Sequence, residues 1–159
     1  MTEDKTRRLT ALADKVFSVK SDPDQLNVDE KVLRKLRNIH PMTISEYRVE
    51  DGPVAWLLVI PTTKELMDQF LDKRINEREL FEKTQAGEAY EAVYLCSALV
   101  LEEYRGKGII KSLAIKAIDE IKKDHPIESL FVWPFTEEGD TAAKKISRLV
   151  KLPLYKREK

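Results

Sequence analysis

A short charged segment with two glycines, Arg105-Gly106-Lys107-Gly108, follows an apolar run that ends at Leu101. An apolar pattern typical of an amphipathic helix begins directly after it. Glycines let the backbone curl so that several N–H groups converge, and a helix N-terminus adds free N–H groups and the positive end of the helix dipole. Arg105, Lys107 and Lys111 add positive charge nearby. This segment, called the glycine turn below, is therefore predicted to bind an anion, most simply a phosphate.

Two familiar nucleotide-binding motifs do not fit the glycine turn. A Walker A loop requires Gly-Lys followed by Ser or Thr, whereas this chain has Ile110-Lys111-Ser112. The dinucleotide-binding fingerprint requires glycine at its sixth position, where Lys111 stands. The alternative to an anion site is a plain connection between a strand and a helix with solvated charges.

Other reactive side chains are few. Tyr94 lies in the apolar run 92–101, where a tyrosine either handles a proton or belongs to the core with its hydroxyl bonded. Cys96 and Ser97 share this run, but no histidine lies near them in the sequence to activate a nucleophile. The chain has two histidines and one cysteine, so no metal site is predicted. Two acidic clusters, at 102–103 and 137–140, either attract an amine or act as first-turn helix acids.

Composition narrows the class of protein. A length of 159 residues with 42% hydrophobic residues predicts one domain, residues 1–159, with a genuine core. Lys and Arg equal Asp and Glu at 28 each, so no bulk charge favours nucleic acid or an anionic membrane as a partner. The longest apolar run, 92–101, is too short for a membrane span of roughly 20 residues. The charged N-terminus lacks the apolar segment of a signal peptide, so we expect a cytoplasmic protein.

The predicted elements place the glycine turn between two buried strands. Helices are expected at about 4–18, from the cap Asn27 to His40, from Thr62, from Asn76, at 107–123, and from Thr136 or Asp140. Strands are expected at 43–49, 52–60, 92–101 and 127–135, with Pro61 ending the second. The order strand, helix, strand makes 92–101 and 128–134 parallel. Ligands of such sheets gather at the carboxyl ends of the strands, where the glycine turn lies.

The glycine turn resembles the acyl-CoA site of the GNAT (Gcn5-related N-acetyltransferase) superfamily. That family has Arg/Gln-x-x-Gly-x-Gly/Ala between its fourth strand and the next helix, and here the matching residues are 105–110, RGKGII. The resemblance is good over about 91–150, where strand, helix, strand and helix follow in the family's order. The predicted hairpin at 43–60 matches the family's second and third strands.

The resemblance implies a fold and a cofactor. The fold would be α/β (α+β) and GNAT-like, with a central mixed sheet, helices on both faces and a helical insertion at about 62–85. The family's backbone amides that bind the CoA pyrophosphate correspond to Arg105, Gly106, Lys107, Gly108, Ile109 and Ile110. The backbone at Leu99, Val100 and Leu101 would pair with the pantetheine arm like a short strand.

At four positions the chain departs from the family pattern. Ile110 stands where the family has Gly or Ala, and because it falls on the apolar stripe of its helix we expect it to face the sheet. Asp140 corresponds to a pantetheine-contacting Asn, and Ser147 to the family's general-acid Tyr. Tyr94 occupies the strand position where many members carry a Glu base. Water carrying a proton to Glu91 or Tyr94 is the remaining expectation for acid–base chemistry.

These observations predict an acyl-CoA-dependent N-acyltransferase. Acetyl-CoA would be the co-substrate and an unidentified amine the acceptor. The alternatives are a non-catalytic module that binds CoA or another phosphate ligand, and an interaction protein that has lost the ligand. A homodimer is possible, and no metal is expected.

Overall fold

The computed structural model describes residues 30–50, 52–134 and 136–158. The helix predicted at 4–18 and the cap Asn27 lie outside these residues. The helices are α1 (Glu30–Ile39), α2 (Lys64–Leu71), α3 (Glu77–Lys83), α4 (Ile109–Asp124) and α5 (Glu137–Val150). The strands are β1 (Ile44–Val49), β2 (Gly52–Thr62), β3 (Ala92–Val100), β4 (Ser129–Val132) and β5 (Leu154–Lys156). Two 3-10 turns, Pro41–Thr43 and Glu102–Tyr104, complete the described elements.

The five strands form one mixed sheet in the order β1-β2-β3-β4-β5. The hairpin β1–β2 and the pair β2–β3 are antiparallel, whereas β3, β4 and β5 are mutually parallel. The predicted α+β class with a mixed sheet is confirmed, and so is the parallel pairing of the two strands that flank α4. Strand β5 was not predicted, because its three residues follow a proline and show no alternating pattern.

Helices pack on both faces of this sheet. Tyr94 and Phe131 face α2, where the ring centroid of Phe70 lies 5.0 Å from that of Tyr94 and 5.8 Å from that of Phe131. Neighbouring residues of a strand point to opposite faces, so Val93 and Leu130 face the other side. Helices α4 and α5 pack together there, against β3 and β4.

Two predicted boundaries near Pro61 are wrong by one or two residues. Strand β2 continues through Pro61, which is paired with Val93. The carbonyl of Thr62 points toward β3 and accepts from the Glu91 N–H. Since successive residues face alternate edges, the Pro61 nitrogen, which carries no hydrogen, faces the other edge of β2. At that edge β1 is paired with β2 only as far as Leu58. The cap of α2 is Thr63 rather than Thr62, whose hydroxyl is buried against that of Thr84 at 2.7 Å.

Strand β3 leaves β4 part-way along its length. Leu58 is paired with Ser97 and Val59 with Leu95, so Cys96 is an extra residue that makes a β-bulge. The pairing of β3 with β4 runs only to Leu95 and Val132, whereas β3 continues to Val100. The two strands therefore separate after Leu95, and the second half of β3 runs on toward the glycine turn without β4 beside it. None of the described helices is long and apolar enough to cross a membrane.

Candidate functional site

The glycine turn has the backbone that its sequence predicts. Gly106 and Gly108 have φ of 76° and 74°, a left-handed conformation that costs an L residue roughly 1–2 kcal/mol. A Cβ added at Gly106 would meet no atom within 4 Å, so this part of the backbone borders open space. Helix α4 begins at Ile109, directly after Gly108.

The N-termini of α4 and α5 are satisfied in different ways. At α5 the hydroxyl of Thr136 accepts from the Gly139 N–H at 3.0 Å, and Glu137, Glu138 and Asp140 lie in the first turn. The N-cap of α4, Gly108, has no side chain to accept such a bond, and the first turn of α4 contains no acid. Helix α4 therefore presents its first N–H groups and its positive dipole end to an external anion.

A cleft of about 640 Å³ lies between these two helix ends. Six of the residues predicted to bind the cofactor line it, namely Val100, Arg105, Gly106, Gly108, Ile109 and Ile110. Its other wall is the first turns of α5, with Glu137, Glu138, Thr141, Ala142 and Lys145. Glu137 and Glu138 belong to the acidic cluster that the sequence singles out, whereas Thr141, Ala142 and Lys145 were not predicted to line a site. The sequence shows nothing that brings residue 145 near residue 105.

Positive charge in the cleft is concentrated near α4. Arg105 and Lys111 line the cleft on the α4 side, and the Lys111 ammonium lies 3.8 Å from where a Cβ on Gly108 would be. On the α5 wall Lys145 lines the cleft together with Glu137 and Glu138. The ammonium of Lys107 lies 5.6 Å from the ring centroid of Tyr104 and makes a cation–π contact with it. Its charge therefore lies beside the turn but packs against an aromatic ring. The cleft thus suits a ligand whose anionic end lies against α4.

The backbone of β3 supplies a further donor at the cleft. The N–H of Leu101 points toward β2, because it donates to the carbonyl of Val54 at 2.9 Å. Backbone groups of successive strand residues point to alternate edges, so the N–H of Val100 points away from β2, into the cleft that Val100 lines. The side chains of Leu99 and Leu101 pack with Val54 in a small separate cluster. Of the three residues predicted to meet pantetheine, Val100 is the one aimed at the cleft.

Ile110 has a double role. It is half-buried and packs against the main core, as expected from its place on the apolar stripe, but it also lines the cleft. Ile109, its neighbour, is the more deeply buried of the two. The Ile110 side chain, which is larger than the Gly or Ala of the family pattern, therefore forms part of the cleft wall and does not close the cleft at the turn.

Asp140 is held by two lysines. Its carboxylate oxygens lie 2.5 Å from the Lys156 ammonium and 3.2 Å from that of Lys144. The hydrogen bond from Lys156 lowers the pKa of Asp140, with a second contribution from Lys144. The side chain thus links α5 to β5, and it does not line the cleft.

Ser147 and Glu91 also lie away from the cleft. The hydroxyl of Ser147 donates to the carbonyl of Leu152 at 2.5 Å and closes the end of α5. Glu91 directly precedes β3, at the opposite end of the strand from Val100, which is roughly 30 Å away at about 3.3 Å per residue. Its carboxylate accepts from the backbone N–H of Lys64 at 3.4 Å. The structure brings neither residue to the glycine turn.

Tyr94 forms a buried hydrogen bond with a residue that sequence reasoning missed. Its side chain is fully buried, and its hydroxyl donates to the Glu77 carboxylate at 2.6 Å. Burial raises the pKa of Tyr94 well above its ordinary value, and the negative charge of Glu77 raises it further. Glu77 is itself only 6% exposed. The one sequence signal was its position directly after the helix cap Asn76, which predicts an exposed acid rather than a buried one.

Comparison with known proteins gives no match, since no family model, no curated protein and no solved structure is significantly similar to the chain. The chemistry of the cleft must therefore be inferred from its own residues. Within the described ranges no group of three or more His, Cys, Asp or Glu side chains could hold a metal ion. What the cleft offers is backbone N–H groups, basic side chains and an open strand edge.

Proposed function

We propose that this chain is an acyl-CoA-dependent N-acyltransferase of the GNAT type, which transfers an acetyl group from acetyl-CoA to an amine. The observation that carries the proposal is the contrast between the two helix ends of the cleft. Helix α5 is capped by Thr136 and its own acids, whereas α4 opens with Gly108 and no acid. Helix α4 therefore has neither a side-chain acceptor nor a negative charge at its N-terminus. The oxygens of a CoA pyrophosphate would supply both, because they are negatively charged and accept from converging N–H groups.

The remainder of CoA matches the strand edge. Pantetheine carries two amide groups, and an extended chain with amides pairs with an open strand edge as another strand does. The edge of β3 opens at Cys96, where the bulge lies and pairing with β4 ends. Pantetheine that starts at the glycine turn and follows β3 passes the N–H of Val100. Its thioester then lies near the bulge, between the separating strands.

The reaction needs little from side chains. An uncharged amine attacks the thioester carbonyl, the C–S bond breaks, and the CoA thiolate leaves with the proton that the amine gives up. Holding two reactants together supplies about 7–11 kcal/mol of the barrier. A backbone N–H of β3 aimed at the carbonyl oxygen stabilises the negative charge that develops there. Lost acid–base catalysis costs typically 10²–10⁴-fold in rate, which slows such an enzyme without abolishing it.

A second candidate function is CoA binding without acyl transfer. Three residues to which the resemblance assigns a catalytic role or a cofactor contact are instead bonded to other groups of the chain, and this favours binding without transfer. Tyr94 is bonded to Glu77, Asp140 to two lysines and Ser147 to a backbone carbonyl. Both candidates share the phosphate site at the glycine turn, and they differ only in turnover.

Titration of the protein with CoA by calorimetry tests the shared site. We expect micromolar binding to the unaltered chain and at least tenfold weaker binding to Arg105→Glu, since a like charge then faces the pyrophosphate. Lys116→Glu is the matched control, because it makes the same charge change on α4 outside the cleft. Equal affinity of all three proteins, or no heat up to millimolar CoA, would refute the phosphate site.

Turnover separates the two candidates. Acetyl-CoA is incubated with the protein and a panel of small amines, and free thiol is measured against a protein-free blank. Amine-dependent thiol release that Arg105→Glu loses supports the enzyme. Tight CoA binding with no release above the blank for any amine supports the binding module.

A further inference from the structure

The face of the sheet opposite the cleft helices carries a polar contact of a different kind. Arg157 directly follows β5, and its N–H donates to the carbonyl of Val132 at 2.9 Å. Its side chain then crosses toward the helical insertion, where Nη1 donates to the carbonyl of Ile75 at 2.8 Å. Ile75 lies in the connection between α2 and α3. One side chain thus joins the C-terminal segment to the α2–α3 pair.

Two aromatic rings hold the guanidinium of Arg157. Its central carbon lies 4.5 Å from the ring centroid of Phe70 in α2 and 4.8 Å from that of Trp133, which follows β4. Such cation–π contacts favour a planar guanidinium over a lysine ammonium. The arginine therefore ties α2 to the end of β4 as well as to the α2–α3 connection.

The α2–α3 pair covers the hydrogen bond between Tyr94 and Glu77. Glu77 is the first residue of α3, and Tyr94 packs against Phe70 of α2. Helices of eight and seven residues are too short to persist by themselves. Their place on the sheet therefore depends on their contacts with the rest of the chain. Phe70, Leu80 and Phe81 are buried in the main core, and Lys35 donates to the carbonyl of Phe81 at 3.0 Å. Arg157 adds the contacts at the α2–α3 connection.

The polar layer beneath the pair distinguishes it from an ordinary core. A carboxylate and a phenol are buried together at this interface, and the Nε of Arg157 is buried without a hydrogen-bond partner among the described residues. Buried polar groups cost free energy that an apolar contact does not. The pair also buries Phe70, Leu80 and Phe81 in the main core, so apolar contacts make up most of this interface. The buried polar groups lower the free energy gained on closing relative to the same interface without them, which makes opening less costly.

We propose that Arg157 is a latch that keeps the α2–α3 pair closed over Tyr94 and Glu77. When its guanidinium leaves the two aromatic rings, the pair moves away from the sheet and both groups become open to solvent. The latch acts on the face opposite the CoA cleft, so it does not depend on the proposed function.

Hydrogen exchange of Arg157→Ala tests the latch. We expect faster exchange of the backbone amides of residues 64–83, with the amides of α4 still as protected as in the unaltered chain. Arg157→Lys keeps the charge but loses the planar contact. Its exchange rates in 64–83 should therefore lie between those of the unaltered chain and those of Arg157→Ala. Arg148→Ala, which removes an exposed arginine of α5, is the matched control and should leave both segments unchanged.

Chemical nitration gives a second, independent readout. Tyr94 is fully buried, so mass spectrometry should show it protected in the unaltered chain and modified in Arg157→Ala. Exposed Tyr47 and Tyr155 should react equally in both proteins. Unchanged exchange in 64–83 of Arg157→Ala would overturn the latch. An equal rise of exchange in 64–83 and in α4 would also overturn it, because such a rise indicates global unfolding.

Discussion

At the scale of single residues, the proposed site depends more on backbone than on side chains. Gly106 and Gly108 adopt left-handed φ values and line the cleft, and such a backbone lets successive N–H groups converge on an anion. Val100 lines the cleft, and its backbone N–H faces away from β2. The side chains at the positions with a catalytic expectation, Tyr94 and Ser147, are bonded elsewhere. A substitution that disturbs the turn should therefore affect binding more than one at Tyr94 or Ser147.

Gly106→Ala is expected to weaken CoA binding about tenfold or more, which is about 1.4 kcal/mol. The new Cβ projects into the open space beside the turn, and the left-handed backbone is strained by roughly 1–2 kcal/mol. Gly87→Ala is the matched control, because Gly87 has φ of 86° and equally open surroundings but lies outside the cleft. Both variants should lose similar stability in urea unfolding. Equal CoA affinities, measured by calorimetry, would contradict a phosphate site at Gly106.

At the scale of elements, the cleft is made by two helix N-termini and by the separation of two strands. The bulge at Cys96 and the early end of the β3–β4 ladder leave an open strand edge. Helix α4 then starts without a cap, at a cost to its own stability. A helix without a side-chain cap that borders an open cleft is what the proposed anion site requires.

Lys111→Glu should separate stability from binding. Lys111 is the third residue of α4, where a positive charge opposes the helix dipole and a negative charge complements it. We expect the free energy of unfolding to rise by about 0.3–1 kcal/mol while CoA affinity falls. Lys116→Glu, in the middle of the same helix, should change neither by a comparable amount. A loss of stability, or unchanged CoA affinity, would argue against an anion site at this helix end.

At the scale of the whole molecule, a histidine pair joins α1, α4 and β3 at the end of the sheet remote from the cleft. The Nε2 of His40 lies 2.8 Å from the Asp124 carboxylate, and its Nδ1 accepts from the Met42 N–H at 3.0 Å. The Nδ1 of His125 accepts from the Tyr90 N–H at 3.4 Å, and its ring centroid lies 4.6 Å from that of Tyr90. The His125 ring accepts from backbone on one nitrogen, which a protonated ring cannot do.

This junction predicts that stability falls in mild acid. Burial lowers the pKa of His125 below its ordinary 6.5, and nearby His40 lowers it further, while Asp124 opposes them. Between 6.5 and the folded pKa the unfolded chain therefore binds more protons than the folded one. The stability is complete above pH 6.5 and is lost as the pH falls through the folded pKa. Urea midpoints from pH 8 to pH 5 should show this loss.

His125→Gln is the control for the pH effect, because glutamine does not titrate in this range. The variant should be less stable at pH 8 and should show a flatter dependence of the urea midpoint between pH 6.5 and pH 5. The same slope in both proteins would mean that other groups cause the loss.

The sequence by itself determined the features that depend on neighbours along the chain. The glycine turn, the capping box of Asn76 and Glu79, and the strand before the turn follow from residues within a few positions of one another, as does the start of α4 to within two residues. Such local signals are strong because the hydrogen-bond partners of the backbone groups concerned, or the absence of a partner, are determined by residues within one helical turn. The expectation that the strand before the turn is buried is wrong beyond Tyr94, because residues 95–100 are half-buried or exposed.

Only the tertiary structure decided what surrounds Tyr94 and what forms the second wall of the cleft. Tyr94 and Glu77 are 17 residues apart, and Arg157 and Ile75 are 82 apart, so no local pattern connects them. Strand β5 and the α5 wall are likewise fixed by pairing and packing with β4 and α4. The physical reason is the same in each case. A polar side chain becomes buried or lines a cleft according to which distant segment packs on it, and that is decided when the chain folds.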